Sequence, residues 1–259
     1  MRTILLLLPF LAQGVFVAVA QNRPFLFTME PPGKGEELLL VHYAAAYGRQ
    51  TFEPLGADNV EQVLGIQAGI GESFLLLAHA GLALQDGPTR VSQQAELLAR
   101  FMNGENRVID LAAGFGYRRE YGGTNVLLSR IIVGHRSGSW QLFGNLLLEK
   151  AFAADRDDFD AIVTGGFSRD FGGTVQAGFE IVGQDLEGFW DRDEAEGGAT
   201  LFMGPGVHLA FPGTTCGLTV GGGLILRATQ SARFSDAPRD LPVGRRNGFV
   251  LRTELAFGL

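Results

Sequence analysis

The amino-acid sequence predicts an all-β fold, a single antiparallel transmembrane β-barrel of about twelve strands. Two observations carry this reading. The last segment places Phe249, Leu251, Thr253, Leu255, Phe257 and Leu259 on one face, with Arg252 and Glu254 on the other. Such alternation is the signature of a strand. Similar segments recur along most of the chain, and the connections between them are alternately short and long.

Composition fits one large β domain. The 259 residues are 46% hydrophobic and 19% charged, with a formal net charge of -7. The 37 glycines are dispersed and follow no G-X-Y period, as suits twisted, tightly turning sheets. Lys34 and Lys150 are the only lysines, and the acidic balance argues against nucleic acid as a partner, because phosphate binding needs clustered basic groups. A lone Cys216 leaves no partner for an internal disulfide.

Taken in order, the chain opens with Arg2, an apolar run from Ile4 towards Val19, and the ending Ala18-Val19-Ala20. This predicts a signal peptide over residues 1–20, cleaved after Ala20. Pro9, Gln13 and Gly14 interrupt a run that is short of the ~20 residues a spanning helix needs. Residues 21–35 are expected to be an N-terminal periplasmic segment, with Pro24, Pro31 and Pro32 favouring an unstructured stretch over a plug.

The barrel occupies residues 36–259. Its expected strands begin with Glu37 to Gly48, Val60 to Ile70, Ser73 to Leu84, Arg90 to Met102, Arg107 to Arg118 and Asn125 to His135. They continue with Ser139 to Phe152, Phe159 to Asp170, Thr174 to Gly183, Ala199 to Phe211, Cys216 to Arg227 and Gly248 to Phe257. Tight connections such as Gly71-Glu72, Arg136-Ser137-Gly138 and Phe171-Gly172-Gly173 alternate with longer polar ones, including Arg49 to Asn59, Gln184 to Gly198 and Ala228 to Asn247. An even strand number with both termini at the short-turn end implies short periplasmic turns and longer extracellular loops.

That orientation makes the two strand parities distinguishable. Outward-parity aromatics gather near both ends, as membrane-interface belts require. Phe74, Phe101, Trp140, Phe167, Phe211 and Phe257 fall near the short turns, and Tyr47, Tyr117, Phe152, Phe159 and Phe249 near the long loops. The other parity is polar and glycine-rich, with Glu96, Arg100, Asp110, Arg118, Arg130, Glu149, Glu180, Arg227, Arg252 and Glu254 as lumen-facing candidates. Burying so many ionisable groups without partners is costly, so a paired or hydrated network is expected. Gly166, Gly178, Gly204, Gly206, Gly217, Gly221 and Gly223 leave one inner wall nearly bare. Long side chains from the facing wall, such as Arg100 and Arg118, or a water path would fill that space.

With its alternating strands and its last strand ending Leu255-Ala256-Phe257-Gly258-Leu259, the chain resembles the bacterial outer-membrane β-barrel superfamily. Within this porin-like superfamily no motif selects a subfamily. The resemblance implies export to the outer membrane, contact with the lipid bilayer and lipopolysaccharide, and insertion by the barrel-assembly machinery, which reads a terminal aromatic. Here Phe257 has the right parity but Leu259 is last.

Chemistry is sparse. Ser129 and His135 share one face of a strand, but at ~3.3 Å per residue they stand roughly 20 Å apart, too far for a dyad. No catalytic residue, cofactor or metal site is expected. Gly114-Phe115-Gly116 and its like precede no helix, and Asp191-Arg192-Asp193 lacks the Gly and distal Glu of an EF-hand loop. The acidic loops around Asp157 and Asp191 read as solvated, while Phe189 and Trp190 suggest a contact surface or a loop folded inward. The leading functional expectation is a porin-like channel or transporter for a small-molecule solute. The alternatives are a non-conducting structural or adhesion barrel, an outer-membrane hydrolase, and a soluble secreted β-barrel or sandwich with the apolar parity inside.

Overall fold

The structure is a computed structural model that describes residues 24–32, 39–51, 55, 57–84, 89–102, 109–153, 159–190, 198–230 and 246–259. The signal peptide over residues 1–20 lies outside the described residues, as do most of the residues of the acidic loops. Twelve antiparallel strands form a closed barrel. They are β1 (Leu39–Arg49), β2 (Asn59–Ile70), β3 (Phe74–Leu84), β4 (Arg90–Met102), β5 (Asp110–Arg119) and β6 (Asn125–Ser137), followed by β7 (Trp140–Ala151), β8 (Asp160–Phe171), β9 (Val175–Gln184), β10 (Thr200–Ala210), β11 (Cys216–Arg227) and β12 (Gly248–Gly258). Each strand pairs with its sequence neighbours, and β12 closes on β1 from Leu40 opposite Gly258 to Arg49 opposite Phe249. Closure leaves no unpaired edge, which a sheet in hydrocarbon requires.

The short connections turn on glycines that hold a left-handed backbone. Gly138 has φ 58° and Gly172 has φ 81°, and a Cβ at either would meet nothing within 4 Å. Backbone conformation, not space, selects glycine there.

Burial alternates along the strands. In β6, Val126, Leu128, Arg130, Ile132 and Gly134 are buried while Leu127, Ser129, Ile131 and Val133 are exposed. The exposed parity is largely apolar, and most of its aromatics lie at the two barrel ends, although Tyr43 and Phe115 are exposed nearer mid-strand. Tyr47, Phe74, Phe101, Tyr117, Trp140, Phe152, Phe159, Phe167, Phe211 and Phe257 are all exposed, whereas Phe249 is half-buried against Tyr47, ring centroids 5.9 Å apart. Cations sit beside both sets. The Lys150 ammonium lies 5.3 Å from the Phe159 ring, and the Arg169 guanidinium 5.3 Å from that of Trp140. Long basic side chains of this kind keep an apolar stem in lipid and a charged head at the interface.

Two features of the interior depart from the sequence-based expectation. The inner parity is not uniformly polar. Near the long-loop end, Val126, Leu128, Leu147, Ile162, Val182, Phe202, Ile225 and Val250 form one apolar cluster with Leu55, which reaches in from the β1–β2 connection. A second cluster joins Leu75, Leu77, Leu98, Ala112 and Ile132. Secondly, Pro24–Pro32 runs inside the barrel, with Pro24, Phe25, Thr28, Glu30, Pro31 and Pro32 buried. The prolines do not leave this stretch unstructured, because the barrel wall supplies partners for its backbone.

A lumen seat for the N-terminal segment

The hydrogen bonds that hold the segment come from inward-parity residues of four strands, β4, β6, β7 and β9. Pro32 lies at the short-turn end, where Arg100 Nη1 donates to its carbonyl at 2.9 Å and Arg100 Nη2 to the carbonyl of Glu72 at 2.9 Å. Glu30 accepts from Arg136 Nη2 at 3.0 Å, and Arg136 also bridges to Asp110 at 3.0 Å. Deeper in, Asn145 of β7 holds Met29 on both sides, accepting from its N–H at 2.7 Å and donating to its carbonyl at 2.8 Å. Beyond this the chain bends over Glu180 of β9. One carboxylate accepts three consecutive backbone N–H groups, from Leu26 at 2.6 Å, Phe27 at 3.1 Å and Thr28 at 3.0 Å. Successive N–H groups converging on an anion form a nest, and here the anion belongs to the wall.

The glycine wall explains the fit. A Cβ at Gly206 would stand 1.9 Å from the Pro24 carbonyl oxygen, and one at Gly166 2.6 Å from the Phe25 ring. Gly178 faces Pro24 and Gly221 faces Leu26 at 3.0 and 3.1 Å. The space expected for Arg100, Arg118 or water is thus occupied by the segment. Its aromatics pack edge-on, Phe25 on Phe143 at 6.0 Å and Phe27 on Phe202 at 5.3 Å. Gly206→Val is therefore expected to expel Pro24–Phe27, since the overlap is with backbone and overpacking costs about 1–3 kcal/mol. Maleimide labelling of Thr28→Cys in a Cys216→Ser background should accelerate roughly tenfold or more in the Gly206→Val barrel. Unchanged labelling would show that the glycine trough does not set the fit.

The remaining candidate residues form pairs. Arg130 addresses Glu96 with a fork, Nε and Nη2 each 2.9 Å from a carboxylate oxygen. Arg118 binds Glu149 twice, at 2.9 and 2.6 Å, and Glu120 at 3.0 Å. Glu254 lies 3.5 Å from His42 and 3.6 Å from Arg252, and the Arg252 guanidinium sits 5.9 Å from the Phe27 ring. Arg227 donates to the Thr200 hydroxyl near the long-loop end. Between these pairs and the segment lies a cavity of about 200 Å³, lined by Phe27, Met29, His42, Gln67, His79 and Arg252 among others.

Sequence reasoning missed several residues of this region. The sequence singles out neither Asn145 nor the inter-strand residues Leu55, Glu120 and Tyr121, although all four are buried. The run Val126-Leu127-Leu128-Ser129-Arg130-Ile131-Ile132-Val133 is apolar on both parities, which is the signal of a strand buried on both faces. Asp160, Asp185 and Glu187 bring carboxylate oxygens within 4.8 Å of one another at the outer rim, an approach that the solvated-loop reading did not anticipate. Phe189 and Trp190 are exposed rather than folded inward.

No family model matches this sequence, and no curated protein sequence matches it either. Solved structures do resemble it in fold. The NanC porin aligns with a TM-score of 0.61 at 8% identity, over 85% of this chain and 100% of that one. The KdgM porin, solved in complex with disordered oligogalacturonate, gives 0.58 at 11% identity over 85% and 99%. An outer-membrane channel from Pseudomonas putida F1 gives 0.57 at 10% identity over 92% and 99%. The chain thus has the closed, twelve-stranded barrel fold seen in outer-membrane porins and channels.

Proposed function

We propose that the protein is an outer-membrane channel for small solutes whose lumen is held shut by its own N-terminal segment. The observation that carries this reading is Pro24–Pro32 itself: it lies against a glycine trough and is held by Glu180, Asn145 and Arg100, polar groups on wall positions that a side-chain-filled barrel would use for packing. The solved structures of similar fold are porins and channels, not enzymes, which supports a transport role over hydrolysis. Export through the signal peptide, insertion by the barrel-assembly machinery and contact with lipopolysaccharide belong to the same reading.

A second reading has its own support. Leu55, Phe202 and their neighbours close the outer half of the lumen with apolar side chains, as a non-conducting structural barrel would. Cell fractionation and planar-bilayer recording separate these readings. The channel reading expects a heat-modifiable outer-membrane protein that conducts weakly as wild type and strongly once Gly206→Val displaces the segment. A heat-modifiable protein in which neither form conducts establishes the structural barrel. Recovery in a soluble fraction overturns both.

A further inference from the structure

We infer that the inner wall seating Pro24–Pro32 is a recognition site for a linear oligopeptide that bends over Glu180, with the segment as its built-in occupant; the inference deepens the channel reading and rests on it. The wall groups read backbone. Glu180 takes three consecutive N–H groups, Asn145 clamps both the N–H and the carbonyl of Met29, and Arg100 takes the Pro32 carbonyl. A peptide bent at this point presents those groups whatever its side chains, with three successive N–H groups turned to one side. Because a primary amide complements a peptide amide on both its donor and its acceptor side, Asn145 does for one residue what a neighbouring strand would do. Gly166, Gly178, Gly206 and Gly221 provide the width, since a Cβ at any of them would approach the occupant to 3.1 Å or less.

Side-chain demands are few by comparison. Two aromatic positions of the segment meet Phe143 and Phe202, and Glu30 meets Arg136 at the mouth. Glu180 and Asn145 are each 3% exposed. Buried polar groups of this kind are costly to leave unsatisfied, so a vacated seat favours a replacement that restores the same pattern of N–H and C=O partners. A linear peptide with aromatic side chains does so. An oligosaccharide offers hydroxyls but no alternation of amide donor and acceptor for Asn145.

The test uses the full mature chain carrying Leu26→Pro and Thr28→Pro. These changes remove two of the three N–H donors to Glu180 and leave every wall residue intact. A capped synthetic nonapeptide with the sequence of Pro24–Pro32 is added to the variant in a planar bilayer, and its binding is read in parallel by fluorescence anisotropy in detergent. The expected result is a saturable block, lost when the peptide carries the same two prolines. Adding Asn145→Ala to the barrel should weaken the block roughly tenfold or more, as the loss of two buried hydrogen bonds implies. A conducting variant that the nonapeptide neither blocks nor binds overturns the peptide site and leaves the channel reading standing. So does block by an acidic oligosaccharide with none by the nonapeptide, or a nonapeptide block that Asn145→Ala leaves unchanged. Peptide binding without conductance supports the site and overturns the channel reading.

Discussion

Arg118→Ala is expected to destabilise the folded barrel by about 3–5 kcal/mol, the cost of removing one partner of a buried ion pair. Arg118 is 5% exposed and bridges Glu149 and Glu120, which are 1% and 4% exposed. Its removal takes the guanidinium from two buried carboxylates, on β7 and in the β5–β6 connection. The urea midpoint of the heat-modifiable gel shift would read the loss. Arg118→Met combined with Glu149→Gln should recover much of the stability, because replacing a buried pair with neutral groups of similar volume is often neutral or better. If Arg118→Ala alone left the midpoint unchanged, the inner network would be hydrated rather than buried, and the lumen more open than its packing shows.

Glu180→Ala has the second large expected effect, on the segment rather than on the barrel. Three N–H groups lose a charged acceptor at once, and hydrogen bonds to charged groups contribute about 1.5–3 kcal/mol each. Pro24–Thr28 should leave the lumen, so protease cleavage within it accelerates and bilayer conductance rises while the gel shift persists. Glu180→Gln should fall between the two, since an amide oxygen still accepts but carries no charge. Continued protection of the segment in Glu180→Ala would mean that Asn145, Arg136 and the glycine trough hold it unaided.

The strands were legible because a closed barrel with an apolar outer face enforces period-two alternation along its strands. Most strand bounds fell within a few residues, from β2 at Asn59–Ile70 to β12 at Gly248–Gly258, and the outward aromatics were read from parity alone. Roles inside the lumen were less legible. Parity places Glu180 and Arg130 alike in the lumen, yet one holds the backbone of a distant segment and the other forks onto Glu96 two strands away. The glycine wall was visible as a bare surface, but its occupant was not, because a glycine states that something is close without saying what.

Alternation, loop lengths and aromatic placement depend on each residue's position along its own strand, so the sequence by itself determined an all-β barrel, its strand order and its two faces. Which inner residues meet depends on curvature and closure, which bring Asn145, Glu180 and Gly206 around one stretch of chain more than a hundred residues away. The tertiary structure alone therefore decided that the proline-containing stretch Pro24–Pro32 lies inside, because its order comes from hydrogen-bond partners on the wall and not from any preference of its own.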